Sequence, residues 1–301
     1  MSVLGRVAVM AAAVVTGGCG TALLSPAGPV AGAERTILLD SVAIMLVIVV
    51  PTIAATMAIA WWFRAGNTRA RYLPAWEYSG QLELLVWSIP ALVVLFLGGI
   101  AWLGSHELDP ARKLVSSRHA IDIQVVSLDW KWLFIYPEQG IASINRIVAP
   151  AGVPLHFDIT AASVMNVFFV PRLGSEIYSM YGMTTQLNLQ ADEPGNYPGL
   201  SAHFSGDGFS GMAFDLKAVS TEQFAAWVTA TRESGPTLDY ASYHELRRQT
   251  QNIAPYTYRK VQESLFHDIV SQKLPPGEGA AAAAAAPIAP APRAISARGE
   301  H

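Results

Sequence analysis

Thiols and charge are what this sequence most lacks. A single cysteine, Cys19, occurs in 301 residues, so neither an internal disulfide nor a dithiolate metal site can form within the chain. Charged residues are 14% of the total against 51% apolar, the balance of a membrane protein that carries a soluble part. A formal net charge of −3 offers no electrostatic footprint for nucleic acid, which is not expected as a partner. The seven histidines are scattered, with no pair at metal-ligand spacing, which argues against a dedicated zinc or copper cage.

The apolar residues that are present fall into three runs near the N-terminus. Residues 1–18 read as a signal peptide: Arg6 gives a positive start, and Val7 to Val15 form an apolar stretch too short to span a bilayer. Thr16-Gly17-Gly18 then lead to Cys19 in the manner of an imperfect lipobox, with Thr16 where leucine is usual. Cys19 is therefore the expected lipidation site, opening a small-residue linker over 19–36. Ser41 to Phe63 and Leu84 to Leu103 contain no charged residue, and either run crosses the ~30 Å hydrocarbon core as a helix. Trp61, Trp62, Trp87 and Trp102 lie near the ends of these runs, as interfacial belts require. Arg64, Arg69 and Arg71 follow the first span; by the positive-inside rule their loop is cytoplasmic, and everything beyond the second span is periplasmic. A two-helix transmembrane hairpin is expected over 37–104, in contact with membrane lipids.

Beyond the polar stretch 104–120 the period shortens to two. Ile121, Ile123 and Val125 alternate with Asp122 and Gln124, and further β-rich runs cover 129–134, 143–148, 154–160, 167–170, 184–190 and 211–219. Gly and Pro clusters separate them, so a β-sandwich is expected over 120–219. Ser220 with Gln223 is a capping-box pattern, and 220–273 reads as a C-terminal helical region with amphipathic stretches at 240–251 and 260–272. The Pro/Ala composition of 274–301 has too little apolar bulk to repay ordering, and a disordered tail is expected there.

Three uncommon strings carry a resemblance: VVSLDWKWLFIYPEQGIASIN, SVMNVFFVPRLGSEIYSMYGM and FSGDGFSGM. With them the chain resembles subunit II of the haem–copper oxidases, in the cytochrome bo-type ubiquinol oxidase branch, from the first span to about Gln272. The fold this implies is a membrane-anchored all-β protein: a two-helix transmembrane hairpin, a periplasmic cupredoxin-like β-sandwich and C-terminal helices. Copper-bearing relatives hold a dinuclear centre on a strand histidine and a C-x-E-x-C-G-x-x-H-x-x-M loop, donors whose softness suits copper. In this sequence the histidine position is Asn166, the two cysteines are Ser201 and Ser205, the glutamate is His203, and the second histidine is Phe209. Gly206 and Met212 alone still match. Trp130 and Trp132 match an aromatic cluster that passes electrons to copper in those relatives; without copper they are expected to serve packing.

The resemblance implies a non-catalytic subunit II of a proton-pumping ubiquinol oxidase that reduces dioxygen to water. It implies no cofactor in this chain, haems and copper in subunit I, and subunits I, III and IV as partners. Glu83, just before the second span, matches a carboxylate at the cytoplasmic mouth of a proton channel in subunit I. Its plain alternative is a helix N-terminal charge, stabilising by ~0.3–1 kcal/mol. Two other functions are distinguishable in the sequence. A copper-bearing electron-transfer subunit of cytochrome c oxidase needs two thiolates where Ser201 and Ser205 stand. A free cupredoxin-like binding lipoprotein needs a Met/His ligand cluster and one anchor rather than two spans.

Overall fold

The structure is a computed structural model and describes residues 22–71 and 73–279. The signal segment, Cys19 and residues 280–301 lie outside the described residues.

Two long helices open the chain, α1 (Pro29–Trp62) and α2 (Gly80–Glu107). Both are long and apolar enough to cross a membrane, and Pro51 and Pro90 sit inside them, as packed membrane helices tolerate. The first helix begins well before the expected span, inside the stretch taken as linker. Gly28-Pro29 explains this: proline in the first turn is already set at helical φ and lacks only an N–H that would have had no partner. That first turn is tied to the soluble domain. The Ala27 and Ala31 amides donate to the Arg172 and Leu173 carbonyls at 2.8 and 3.2 Å, and Ser175 donates to the Glu34 carboxylate. Gly28 is required at this seam, because a Cβ there would lie 2.1 Å from the Gln190 carbonyl oxygen.

The domain that follows is a sandwich of two sheets. One contains β1 (Ile121–Leu128), β2 (Lys131–Tyr136), β3 (Ile141–Ile144), β5 (Leu155–Ala161), β8 (Thr185–Leu189) and β12 (Tyr256–Tyr258), in the order β12-β3-β2-β1-β5-β8. The other contains β4 (Arg146–Pro150), β6 (Asn166–Phe169), β7 (Ile177–Ser179), β9 (Gly195–Ser201) and β10 (Ala213–Val219), in the order β4-β10-β9-β6-β7. Between them lies an aromatic core. The Phe168 and Phe214 rings stack at 4.9 Å, and Trp132 meets each edge-on at 5.6 Å. Such contacts add ~0.5–1.5 kcal/mol each beyond the area they bury.

Strand β2 is buried along its whole length, which alternation alone does not give. Trp132, Phe134 and Tyr136 face the sandwich core, while Leu133 and Ile135 belong to a second apolar cluster with Leu238, Tyr243, Leu265 and Phe266. The C-terminal region supplies that second cover. It comprises α3 (Thr221–Glu233), α4 (Tyr240–Leu246), α5 (Leu265–Val270) and the short pair β11 (Thr237–Leu238) with β13 (Lys260–Val261). The capping box at Ser220 and Gln223 is formed in both directions. The helix expected over 260–272 is shorter, since Lys260 and Val261 pair as strand with Thr237 and Leu238. Residues 275–277, the start of the tail expected from 274, are docked on the domain. Arg247 donates to the Pro275 and Pro276 carbonyls at 3.0 and 2.5 Å, and the Gly277 amide donates to Ala162 at 2.9 Å.

Candidate functional site

The loop positions singled out in the sequence gather at one end of the second sheet. Asn166 starts β6 and Ser201 ends β9, which pair antiparallel. Both are almost fully buried, and the Ser201 hydroxyl donates to the Asn166 side-chain oxygen at 3.0 Å. The Asn166 amide in turn donates to the Val164 carbonyl at 3.3 Å. The Ser201 backbone N–H donates to the Met212 carbonyl at 3.1 Å, and the Met212 side chain is buried in the sandwich core. Met212 thus stands beside Ser201 in the fold.

His203 meets that cluster only through its backbone carbonyl, which accepts from the Ser201 hydroxyl at 3.4 Å, while Ser205 and Phe209 make no side-chain hydrogen bond to it. The Ser205 carbonyl accepts from the Trp130 indole N–H at 2.9 Å, while its hydroxyl is buried without a partner. His203 is half-exposed, its ring 6.2 Å from Tyr178. Phe209 sits in a 3-10 turn, Phe209–Gly211, edge-on to the exposed Phe204 ring at 5.6 Å.

These donors do not fit a dinuclear copper centre. Neutral hydroxyls, an amide and a phenyl ring replace thiolates and imidazoles, and two of the replaced positions spend their hydrogen bonds on each other. Among the described residues there is no group of three or more His, Cys, Asp or Glu placed to hold a metal.

The two tryptophans part company. Trp132 lies in the core, whereas Trp130 holds a left-handed backbone at φ 64° in the β1–β2 turn. Its ring lies flat against the loop: a Cβ on Gly208 would come within 2.4 Å of Trp130 Cδ2. The loop between Ser205 and Phe209 is therefore packed on an indole.

Sequence reading missed the polar cluster on either side of Trp130. Asp129 and Lys131 are 3% and 2% exposed. Asp129 accepts from the Ser163 hydroxyl and, at 2.7 Å, from the Gly279 amide. The Lys131 ammonium donates to the Arg248 carbonyl and the Thr250 hydroxyl, each at 2.6 Å. Burial pulls this ammonium down from 10.5 to about 8, and the Asp129 and Glu278 carboxylates oppose the fall. The available signal was the alternation itself, which puts Lys131 on the same face as Leu133 and Ile135.

Glu83 lies in the first turn of α2, its amide donating to the Ser79 carbonyl at 3.0 Å. Its side chain is exposed, at the end of the hairpin opposite the sandwich. Cys19 lies outside the described residues.

Comparison with known proteins gives a consistent set of relatives. The profile of the cytochrome c oxidase subunit II periplasmic domain matches residues 122–219, and that of the COX aromatic rich motif matches 232–277. Cytochrome bo(3) ubiquinol oxidase subunit 2 of Pseudomonas aeruginosa is 44% identical over 274 residues, 91% of this chain and 83% of that protein. Ubiquinol oxidase subunit 2 of Acetobacter aceti is 44% identical over 269 residues, 89% of this chain and 87% of that protein. The solved periplasmic domain of cytochrome oxidase subunit II of Bradyrhizobium japonicum is 21% identical, with a TM-score of 0.37 over 39% of this chain and 98% of that one.

Proposed function

The chain belongs to the ubiquinol oxidase subunit 2 family, and on that premise we propose that it serves its complex without carrying a redox centre. It is a membrane-bound subunit of an oxidoreductase, with two spans and a cupredoxin-like domain on the periplasmic side. The proposed role is to brace subunit I, cover its periplasmic face and supply a proton entrance on the cytoplasmic side. The complex would oxidise ubiquinol, reduce dioxygen to water and pump protons, with haems and copper in subunit I and with subunits III and IV as further partners.

One observation carries the reading: the Ser201–Asn166 hydrogen bond between two former ligand positions. Electron transfer through this domain needs an acceptor, and here the acceptor's donors are replaced by groups that close on each other. What survives is the sandwich and its attachment to α1, which are structural assets. An electron-transfer role for cytochrome c oxidase gains no support from such a loop.

Glu83 supports the proton-uptake part. It stands in the first turn of α2 at the membrane boundary, where a charged carboxylate costs far less than at the bilayer centre.

The test is purification of the tagged chain from its native membranes. Co-elution with a haem-bearing, multi-span subunit, with quinol-dependent oxygen uptake in the same fraction, is expected. Recovery of the chain alone, or with copper bound stoichiometrically to its periplasmic domain, would overturn the reading.

A further inference from the structure

At the cytoplasmic end of the hairpin the two spans and their connecting loop enclose a cavity of about 700 Å³. Its walls are of two kinds. Ile59 and Phe63 from the first span, Trp76 from the loop and Leu82 from the second span make an apolar surface, while two arginines, Arg64 and Arg71, line the same space. The size falls in the range of small-molecule sites, ~300–1,000 Å³.

Among the described residues, neither arginine lies within ion-pair distance of a carboxylate; the three ion pairs present all belong to the periplasmic domain. Arg64 is instead fixed by its own helix end. It donates to the Trp61 carbonyl at 2.8 Å and lies over the Trp61 ring at 4.7 Å. Asn67 caps the same turn, donating to the Trp62 carbonyl at 2.6 Å and accepting from the Arg69 amide at 3.2 Å. Two held or clustered cations above an apolar floor, at the depth where headgroups meet acyl chains, match an amphiphile with an anionic head.

We infer that this cavity is a binding site for one anionic phospholipid of the cytoplasmic leaflet. Arg64 and Arg71 hold the phosphate, and Ile59, Phe63, Trp76 and Leu82 take the first part of an acyl chain. Arginine suits the task because its guanidinium forms paired hydrogen bonds to phosphate oxygens. Neighbouring subunits would meet the hairpin along its span faces, so the lipid would sit as filling between the loop and the bilayer, one residue from Glu83.

The experiment uses the intact complex in mild detergent, stripped of loosely held lipid and titrated with phosphatidylglycerol or phosphatidylcholine. Native mass spectrometry then counts bound lipid, and a phosphatidylglycerol with a photoreactive acyl chain maps the contact. Expected are one tightly retained phosphatidylglycerol that excess inorganic phosphate does not displace, and crosslinks to the peptides bearing Phe63 and Trp76. Arg64→Gln with Arg71→Gln should weaken that binding on the order of tenfold or more, while Arg64→Lys with Arg71→Lys, which keeps the charge but not the paired hydrogen bonds, should weaken it less. The wild-type preference for phosphatidylglycerol over phosphatidylcholine needs no variant, so it decides the matter even if the glutamine pair fails to assemble. Equal retention of the two lipids, displacement by inorganic phosphate, or crosslinks confined to a partner subunit would overturn the proposal.

Discussion

Ser201 at the end of β9 donates its hydroxyl proton to the Asn166 side chain at the start of β6, across 3.0 Å. The bond is buried on both sides. The family resemblance implies a cysteine and a histidine at these two positions in copper-bearing relatives; here a serine and an asparagine bond each other instead. A buried hydrogen bond of this kind contributes ~0.5–1.5 kcal/mol, and orphaning one partner costs ~1–3 kcal/mol.

The wild-type chain is therefore expected to take up no purple dinuclear copper. Asn166→His, Ser201→Cys, His203→Glu, Ser205→Cys and Phe209→His together should create such a site, because Met212 is already in place at the core edge. Copper analysis and the visible spectrum of the loaded protein check both statements. A thiolate charge-transfer band in the wild type would sink the first, and no copper in the five-residue variant would sink the second. Asn166→Ala alone should lower stability by about 1–3 kcal/mol in urea unfolding.

Lys131 sets a pH dependence of stability. Its folded value is lowered to about 8 from 10.5, so between those limits the unfolded chain binds more protons than the folded one. Stability must rise as pH climbs from about 8 toward 10.5, and the burial penalty is fully felt below that window. The effect is on the order of 2 kcal/mol, allowing for water that reaches the ammonium. Lys131→Met should remove the slope because it removes the titrating ammonium, and the Thr250 hydroxyl it releases borders an open cavity. Denaturant midpoints at several alkaline pH values give the answer, and a slope equal in both proteins would clear Lys131 of the role.

Cys19 is expected to be the mature N-terminus and to carry acyl chains. Mass spectrometry of the purified chain should show the acyl mass, and Cys19→Ser should leave a longer, unacylated form. Oxidase turnover is expected to hold in that variant, because two spans already anchor the chain. An N-terminus elsewhere with no acyl mass would remove the proposal.

Much of this architecture was legible because single physical rules governed it. The uncharged runs dictated the spans, the period-two stretches dictated most strands, and Ser220 with Gln223 dictated the start of α3. Strand β9 was not legible. Gly195, Pro198 and Gly199 read as turn residues, yet Gly199 is in a strand because the Phe214 ring takes its side-chain space, 2.2 Å from where a Cβ would stand. Lys131 was hidden for a different reason. Nothing local says that a second layer from residues 237–270 will cover its face of β2. The same cover explains the docking of residues 274–279, whose partners Asp129, Ala162 and Arg247 are all distant in sequence.

Glu83 is the proposed link between this chain and turnover. The periplasmic domain and the two spans leave the start of α2 on the cytoplasmic side, where protons consumed in oxygen reduction must be collected. A carboxylate there is exposed, within reach of bulk water from which it can take up protons. If it passes those protons to a polar channel in the partner subunit, Glu83→Ala should lower oxygen uptake per haem on the order of tenfold. Glu83→Gln should do the same, since it keeps the shape and hydrogen bonding but cannot titrate. Glu83→Asp should be milder, because a carboxyl remains within reach of water. Haem content and co-purification must stay unchanged, which separates lost proton delivery from lost assembly. Equal rates in the wild type, Glu83→Ala and Glu83→Gln would reduce Glu83 to a helix-end charge. Loss in Ala with full activity in Gln would make its role one of packing and hydrogen bonding instead.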